Sequence, residues 1–221
     1  MKKSVLLLLA ICFGPLGFAQ DYNAQFLTAF EGGNDSIQRV VLDAWKLATP
    51  QDAEYFVAEF NYHVNLAYNE VMGILPDPPQ GEAFAITDST GEVVGYMGSY
   101  LSWDSVHTEL ALQTIRDGLA AHPNRLDMHF GYIHFLGQAK RWEDFAAGIE
   151  AVLAQDATNA HGWMWSDNEP FNEPNFPGFF QAYQVTLFNE QDPALFPYNI
   201  RISNAVLKYY PEDIPSISNL G

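Results

Sequence analysis

Basic residues are scarce in this chain, and cysteine is scarcer still. Ten Lys and Arg stand against 27 Asp and Glu, giving a formal net charge of -17. A body this acidic repels phosphate backbones and anionic lipid surfaces, which excludes nucleic acid as a partner and a membrane surface as a docking site. The one cysteine, Cys12, lies within the first 20 residues. A disulfide, a thiolate nucleophile and a cysteine-ligated metal are therefore excluded from the rest of the chain. Long apolar runs are missing too. Beyond residue 20 no segment approaches the roughly 18 uncharged apolar residues that a membrane span needs. Aromatic residues, by contrast, are plentiful: 5 Trp, 11 Tyr and 16 Phe among 221 residues supply far more apolar area than a disordered chain carries.

Residues 1–19 read as a secretory signal. Lys2 and Lys3 form a positive start, Val5 to Phe13 an apolar stretch too short to span a bilayer, and Gly17 and Ala19 put small residues before Gln20. Cleavage is expected after Ala19. Ile11 is too bulky to precede a lipidated cysteine at Cys12. Removing the signal takes two basic residues and no acidic ones, leaving 8 against 27, or -19. The expected location is periplasmic or secreted, with no membrane insertion once the signal is cleaved.

The remainder reads as helix after helix. From Asp35 to Leu47, the residues Ile37, Val40, Val41, Ala44 and Trp45 fall on one face at helical spacing. Thr49-Pro50-Gln51-Asp52 then suggests a cap, a proline at the first helical position and an acid in the first turn. Tyr55, Phe56, Phe60 and Val64 make the buried stripe of a helix expected to reach about Asn69. Leu75 to Gly81 holds three prolines and cannot be helical. Ala83 to Thr87 and Glu92 to Tyr96 flank the turn Asp88-Ser89-Thr90-Gly91, which predicts a β-hairpin near 83–97. Helices resume near Asp104. The expected organisation is thus a signal at 1–19, a helical hairpin over 20–74, a proline-rich loop and β-hairpin over 75–102, and a helical region over 103–221.

A period runs through that last region. Glu109 to Asn124 and Glu143 to Thr158 align at an offset of 34 residues, with identities at Glu109/Glu143, Ile115/Ile149, Leu119/Leu153 and Ala120/Ala154. The shared motif is an apolar residue, Leu four later and a helix stop four later still. Ile115, Leu119 and Pro123 carry it, as do Ile149, Leu153 and Ala157. Ser203, Leu207 and Pro211 follow out of period, displaced by a loop over 163–177.

A 34-residue helix-turn-helix period is that of tetratricopeptide repeats. Leu126 to Ala139 resembles a first repeat helix, with Phe130-Gly131 where the family has a large apolar residue and then a glycine, and Trp142 to Ala154 resembles a second. Trp45, Phe60-Asn61-Tyr62, Asn124 to Met128, Trp163-Met164-Trp165 and Lys208 to Pro211 extend a resemblance to exported tetratricopeptide-type proteins of Gram-negative bacteria that lack an assigned activity. The resemblance implies a mainly α fold of stacked antiparallel helical hairpins in a right-handed superhelix, with one small β-hairpin. It also implies that Gly131 lets paired helices approach closely. Pro211 followed by Leu220-Gly221 matches the family's junction between repeats, so the expectation is an N-terminal part of a longer protein or a truncated gene product.

Candidate chemistry is sparse. Asn168-Glu169-Pro170 and Asn172-Glu173-Pro174 resemble the acid/base signature of retaining glycoside hydrolases. That reaction needs two carboxylates about 5 Å apart, usually on a barrel of about 250 residues, whereas this sequence is shorter, mostly helical in pattern and without alternation of strand and helix. A proline-rich acidic loop is the plainer reading, with an exported hydrolase using Glu169 or Glu173 as the alternative. Of His63, His107, His122, His129, His134 and His161, no two sit four apart around a glutamate, and no phosphate loop or nucleophile elbow occurs. No cofactor and no metal are expected. Trp163 to Tyr183 is dense in aromatics. Phe176, Phe179, Phe180 and Tyr183 fall at core-facing helical spacing, which leaves Trp163 and Trp165 as candidate contacts for a protein or peptide partner, with glycan binding through the Trp163–Tyr183 stretch as a further alternative. The function expected is a non-enzymatic scaffold for protein–protein interaction.

Overall fold

The computed structural model describes residues 21–79, 82–159, 162–173 and 175–221. The signal expected over 1–19, with Cys12, lies outside them, as do His161 and Pro174. The described chain is mainly helical, with α1 at Tyr22–Glu31, α2 at Asp35–Ala48 and α3 at Ala53–Ala67 leading into a small sheet. That sheet consists of β1 at Tyr68–Leu75, β2 at Ala83–Thr87 and β3 at Val93–Trp103. After it come α4 at Ser105–Ala121, α5 at Leu126–Gln138, α6 at Trp142–Asn159, α7 at Phe176–Asn189, α8 at Phe196–Tyr209 and α9 at Ile214–Leu220.

Neighbouring helices pack as pairs: α1 on α2, α3 on α4, α5 on α6 and α7 on α8. α2 meets α3, α4 meets α5, and the last two pairs join through α5 with α7 and α6 with α8. One apolar cluster runs through all of them, from Phe26 and Leu42 through Phe60, Ile115 and Ile133 to Phe145, Phe180 and Ile202. Ile115 and Ile149, aligned by the sequence period, are both buried, as is Ser203, which opens the out-of-period copy of the motif.

Close packing of the pairs depends on small residues. A Cβ on Gly118 of α4 would lie 2.9 Å from the Phe56 Cβ of α3, and one on Gly148 of α6 would lie 3.1 Å from Ile133 of α5. Gly131, expected to serve this purpose, does not: its Cβ would meet Phe60 at an ordinary 3.6 Å.

The structure corrects three local readings. The segment Thr49 to Asp52 ends one helix and starts the next: Thr49 caps the end of α2, and Asp52, not Thr49, accepts from the Glu54 N–H to open α3. α2 is rolled by about one position, burying Gln38, Val41, Leu42 and Trp45 while Ile37 and Val40 face solvent. Gln38 is drawn inward because its Nε2 donates to the Ala29 carbonyl of α1, a helix the apolar pattern did not signal. Most consequential, α3 stops at Ala67, and Tyr68–Leu75 is a strand rather than a helix end and loop.

The sheet is antiparallel in the order β1-β3-β2. The β2–β3 hairpin turns as expected, with Asp88 Oδ1 accepting from the Thr90 and Glu92 N–H groups and Gly91 at φ 87. Because β3 runs on to Trp103, its far half needs another partner, and β1 supplies it in an unbroken register from Tyr68↔Trp103 to Leu75↔Tyr96. The Asp104 N–H donates to the Ala67 carbonyl at 2.9 Å, so β1 and β3 are direct extensions of the α3–α4 pair.

Adding a methyl group at Gly118 should force α3 and α4 apart against backbone-anchored atoms. Gly118→Ala is expected to lower stability by about 1–3 kcal/mol, read from urea unfolding midpoints, even though alanine favours helix. An unchanged midpoint would show that the pair can open at no cost.

Candidate functional site

The loop over 162–173, which carries the predicted contacts, is tied down rather than displayed. Met164 exchanges backbone hydrogen bonds with the connection between α4 and α5, donating to Asn124 O and accepting from Leu126 N–H, both at 2.9 Å. Arg125, buried at 2% exposure, pairs with Glu54 at 2.8 Å and Asp127 at 2.7 Å. Those acids also receive the loop, through the Asp167 N–H on Glu54 and Ser166 Oγ on Asp127. Asp167 and Asn168 take left-handed conformations, at φ 57 and 58, which Asp and Asn tolerate better than most residues.

Within that loop the two tryptophans part company. Trp163 is 2% exposed, stacks on Phe176 and donates to Asp156 at 2.8 Å, so it belongs to the core. Tyr210 closes the same arrangement by donating to the other oxygen of Asp156. Trp165 is 37% exposed, with its ring stacked on Phe171 and edge-on to Phe130. Phe176 and Phe180 are buried as their spacing predicts.

Glu169 and Glu173 both stand exposed on this loop. Glu173 borders a cleft of about 330 Å³ with Trp163, Phe171, Phe176 and Tyr210, and among the described residues lining it no second carboxylate stands against Glu173. Among the described residues no three His, Cys, Asp or Glu side chains gather where they could hold a metal ion.

A buried polar network lies where α2, α3 and α4 meet. Arg39 of α2 donates to both oxygens of Glu59 at 2.9 and 3.0 Å, and Tyr55 donates to the second at 3.1 Å. His63 stands 3.4 Å from Glu59, and its Nδ1 lies 3.0 Å from His107 Nδ1 on α4. Burial acts to raise the Glu59 carboxyl, but hydrogen bonds from His63, Arg39 and Tyr55 and the Arg39 charge outweigh it, bringing the value from 4.5 down to about 2. Burial, then the Glu59 charge, pushes the Tyr55 phenol up. A carboxylate held so low is a weak base with both oxygens engaged, which suits an ion-pair anchor better than proton transfer. Sequence reading could not assemble this group, because its members are scattered from Arg39 to His107.

The sheet is thinly covered. Cross-strand pairing puts Ile74, Met97 and Phe84 side by side on one face, with Met72 and Leu101 beyond them. Phe84 is 73% exposed, Met72 72% and Ile74 69%. The other face carries Val71, Tyr96 and Tyr100, with Pro79 set against Gly98, where a Cβ would come within 2.6 Å of its ring. Glu70 and Asn69 put polar side chains near the base of β1, but farther out large apolar side chains dominate both faces, whereas a sheet standing in water ordinarily turns a polar face to its open side. From Tyr68 to Asp104 the charged residues are Glu70, Asp77, Glu82, Asp88, Glu92 and Asp104, with no Lys, Arg or His. Sequence reading proposed no contact here. The available signal was Tyr68 to Leu75 itself, where β-favouring and apolar residues run together without a helix-type polar face.

The chain matches no protein-family model, and comparison with curated proteins and with solved structures finds no match either.

Because the folded carboxyl of Glu59 sits below its usual value, its contribution to stability is complete above about pH 4.5 and is lost as pH falls toward about 2. Glu59→Gln should lower stability at neutral pH by about 1–3 kcal/mol and flatten the loss of stability through the acid window. Urea midpoints measured on both proteins across that window check this, and parallel pH profiles would contradict it.

Proposed function

We propose that the protein is a non-enzymatic helical-repeat scaffold of tetratricopeptide type, exported to the periplasm or beyond the cell, that binds another protein or a peptide. Pairs of helices sharing one apolar seam, with equivalent burial at Ile115, Ile149 and Ser203, support the repeat reading. Such arrays present extended surfaces to partners rather than enclosing substrates.

The observation that carries the proposal is the sheet, whose large apolar side chains stand exposed on both faces. Clustered apolar exposure of this kind marks interaction surfaces, because leaving it in water costs free energy that a partner would recover. Trp165, half-shielded by Phe171, is a secondary contact in this reading. The acidic balance favours faster association with a basic partner and no binding to nucleic acid.

A photo-crosslinking amino acid placed at Met72, Phe84, Trp165 or Leu47, followed by irradiation in the envelope fraction of the producing cell, tests the proposal. A discrete adduct is expected from Met72 or Phe84 and none from Leu47, an exposed residue of α2. Absence of any discrete adduct from all four positions would overturn the scaffold reading.

A further inference from the structure

The two edges of the sheet are not equivalent. β2 is five residues long and its register with β3 shifts between Ile86 and Thr87. β1 is eight residues long, pairs with β3 without a shift, and lies at the opposite edge. Proteins ordinarily blunt a free edge with proline, lysine, a bulge or a covering element. Tyr68–Leu75 contains no proline and no basic residue, and Pro76 follows only where the strand ends. From Tyr68 to Met72 every residue of β1 is exposed.

Resting on the interaction-module reading above, we propose that the β1 edge binds an extended segment of a basic partner protein, which adds as a fourth strand. Main-chain hydrogen bonds to the outer edge of β1 would supply register-independent affinity, and side chains would supply selectivity. A strand added there sets its own side chains beside Met72 and Ile74 on one face and beside Val71 and Leu75 on the other. Both rows are apolar, so the segment should be apolar on both faces at its centre. Charge decides what flanks that centre. Glu70 lies near one end of β1 and Asp77 lies two residues beyond the other, and both are exposed. Lys or Arg at each end of the incoming segment meets a carboxylate. A second copy of this chain fits less well, because its own β1 arrives with the same acids and an arm holding no base, on a body of charge -17.

The test uses the full chain and three fluorescein-labelled peptides about ten residues long, enough to span β1 at about 3.4 Å per residue. The first is Lys-Lys-Thr-Ile-Tyr-Val-Thr-Val-Lys-Lys. The second replaces its lysines with glutamates, and the third keeps the lysines but has prolines at alternate central positions. Fluorescence anisotropy should show the first binding at least about tenfold more tightly than either other peptide, with affinity falling as salt rises. The double variant Met72→Lys with Ile74→Lys should weaken binding at least about tenfold, whereas Leu47→Lys should leave it unchanged. Amide hydrogen exchange on the unmodified protein should slow along β1 when the first peptide is added, which does not depend on any variant folding. Equal binding of the basic and acidic peptides, undiminished binding by the β1 variant, or slowed exchange along β2 instead of β1 would each overturn the proposal. So would no binding of the first peptide at about 1 mM. A dimer in sedimentation that the β1 double variant dissolves would also overturn it, by making a second copy the occupant. A crosslinked adduct from Phe84 with no adduct from Met72 would leave the scaffold reading standing while removing the β1 edge from it.

Discussion

Everything in this molecule is organised around the contact between α3 and α4. Gly118 presents bare backbone to Phe56, which lets the two helices close together, and the Ala67 carbonyl takes the Asp104 N–H just where the chain leaves one helix and enters the other. Those two features fix the spacing at which β1 and β3 emerge, so the strands pair from their first residues, Tyr68 with Trp103. The sheet is therefore an outgrowth of a helical pair. Its base is anchored by Trp103, which meets Tyr68 and, on the core side, Phe135 of α5. Farther out, strand pairing and local contacts such as Pro79 on Gly98 hold it, and large apolar side chains remain in solvent there.

Buried charge is placed at junctions rather than within single helices. Glu59 gathers donors from α2 and α3 and adjoins the His63–His107 contact with α4, while Arg125 gathers acids from α3 and α5. Replacing either ion by an apolar group would leave its partners uncompensated in poorly hydrated surroundings, which is far costlier than losing an exposed pair such as Lys140–Glu190. Apolar contact sets how closely the helices pack, and these ionic junctions set which orientation they keep.

What could be read from the sequence was what local chemistry determines. The Asp88 to Gly91 turn, the helix beginning after Asp104, and the core-facing set Phe176 and Phe180 all depend on neighbours within a few residues. What could not be read depended on distant partners. β1 takes strand form because β3 lies beside it, and Tyr68 and Trp103 are far apart in the chain. α2 turns its face by one position because Gln38 finds a carbonyl on α1. Trp163 and Trp165 look alike in sequence, yet the Asp156 carboxylate draws one inward and leaves the other at the surface. The sheet's exposed apolar faces escaped notice because local patterning shows only the β2–β3 hairpin, and β1 joins it through pairing with residues far along the chain, which no spacing rule for amphipathic elements anticipates.

Arrays whose units touch only adjacent units can come undone one unit at a time, starting from a free end. The bond from the Asp167 N–H to Glu54 spans 113 positions of sequence and skips over α4, α5 and α6. With Arg125 clasped between the same glutamate and Asp127, it laces the passage into α7 back to α3. Peeling away the last helices must therefore disturb the early ones, so the chain should melt as one cooperative body rather than fray like a row of detachable tiles.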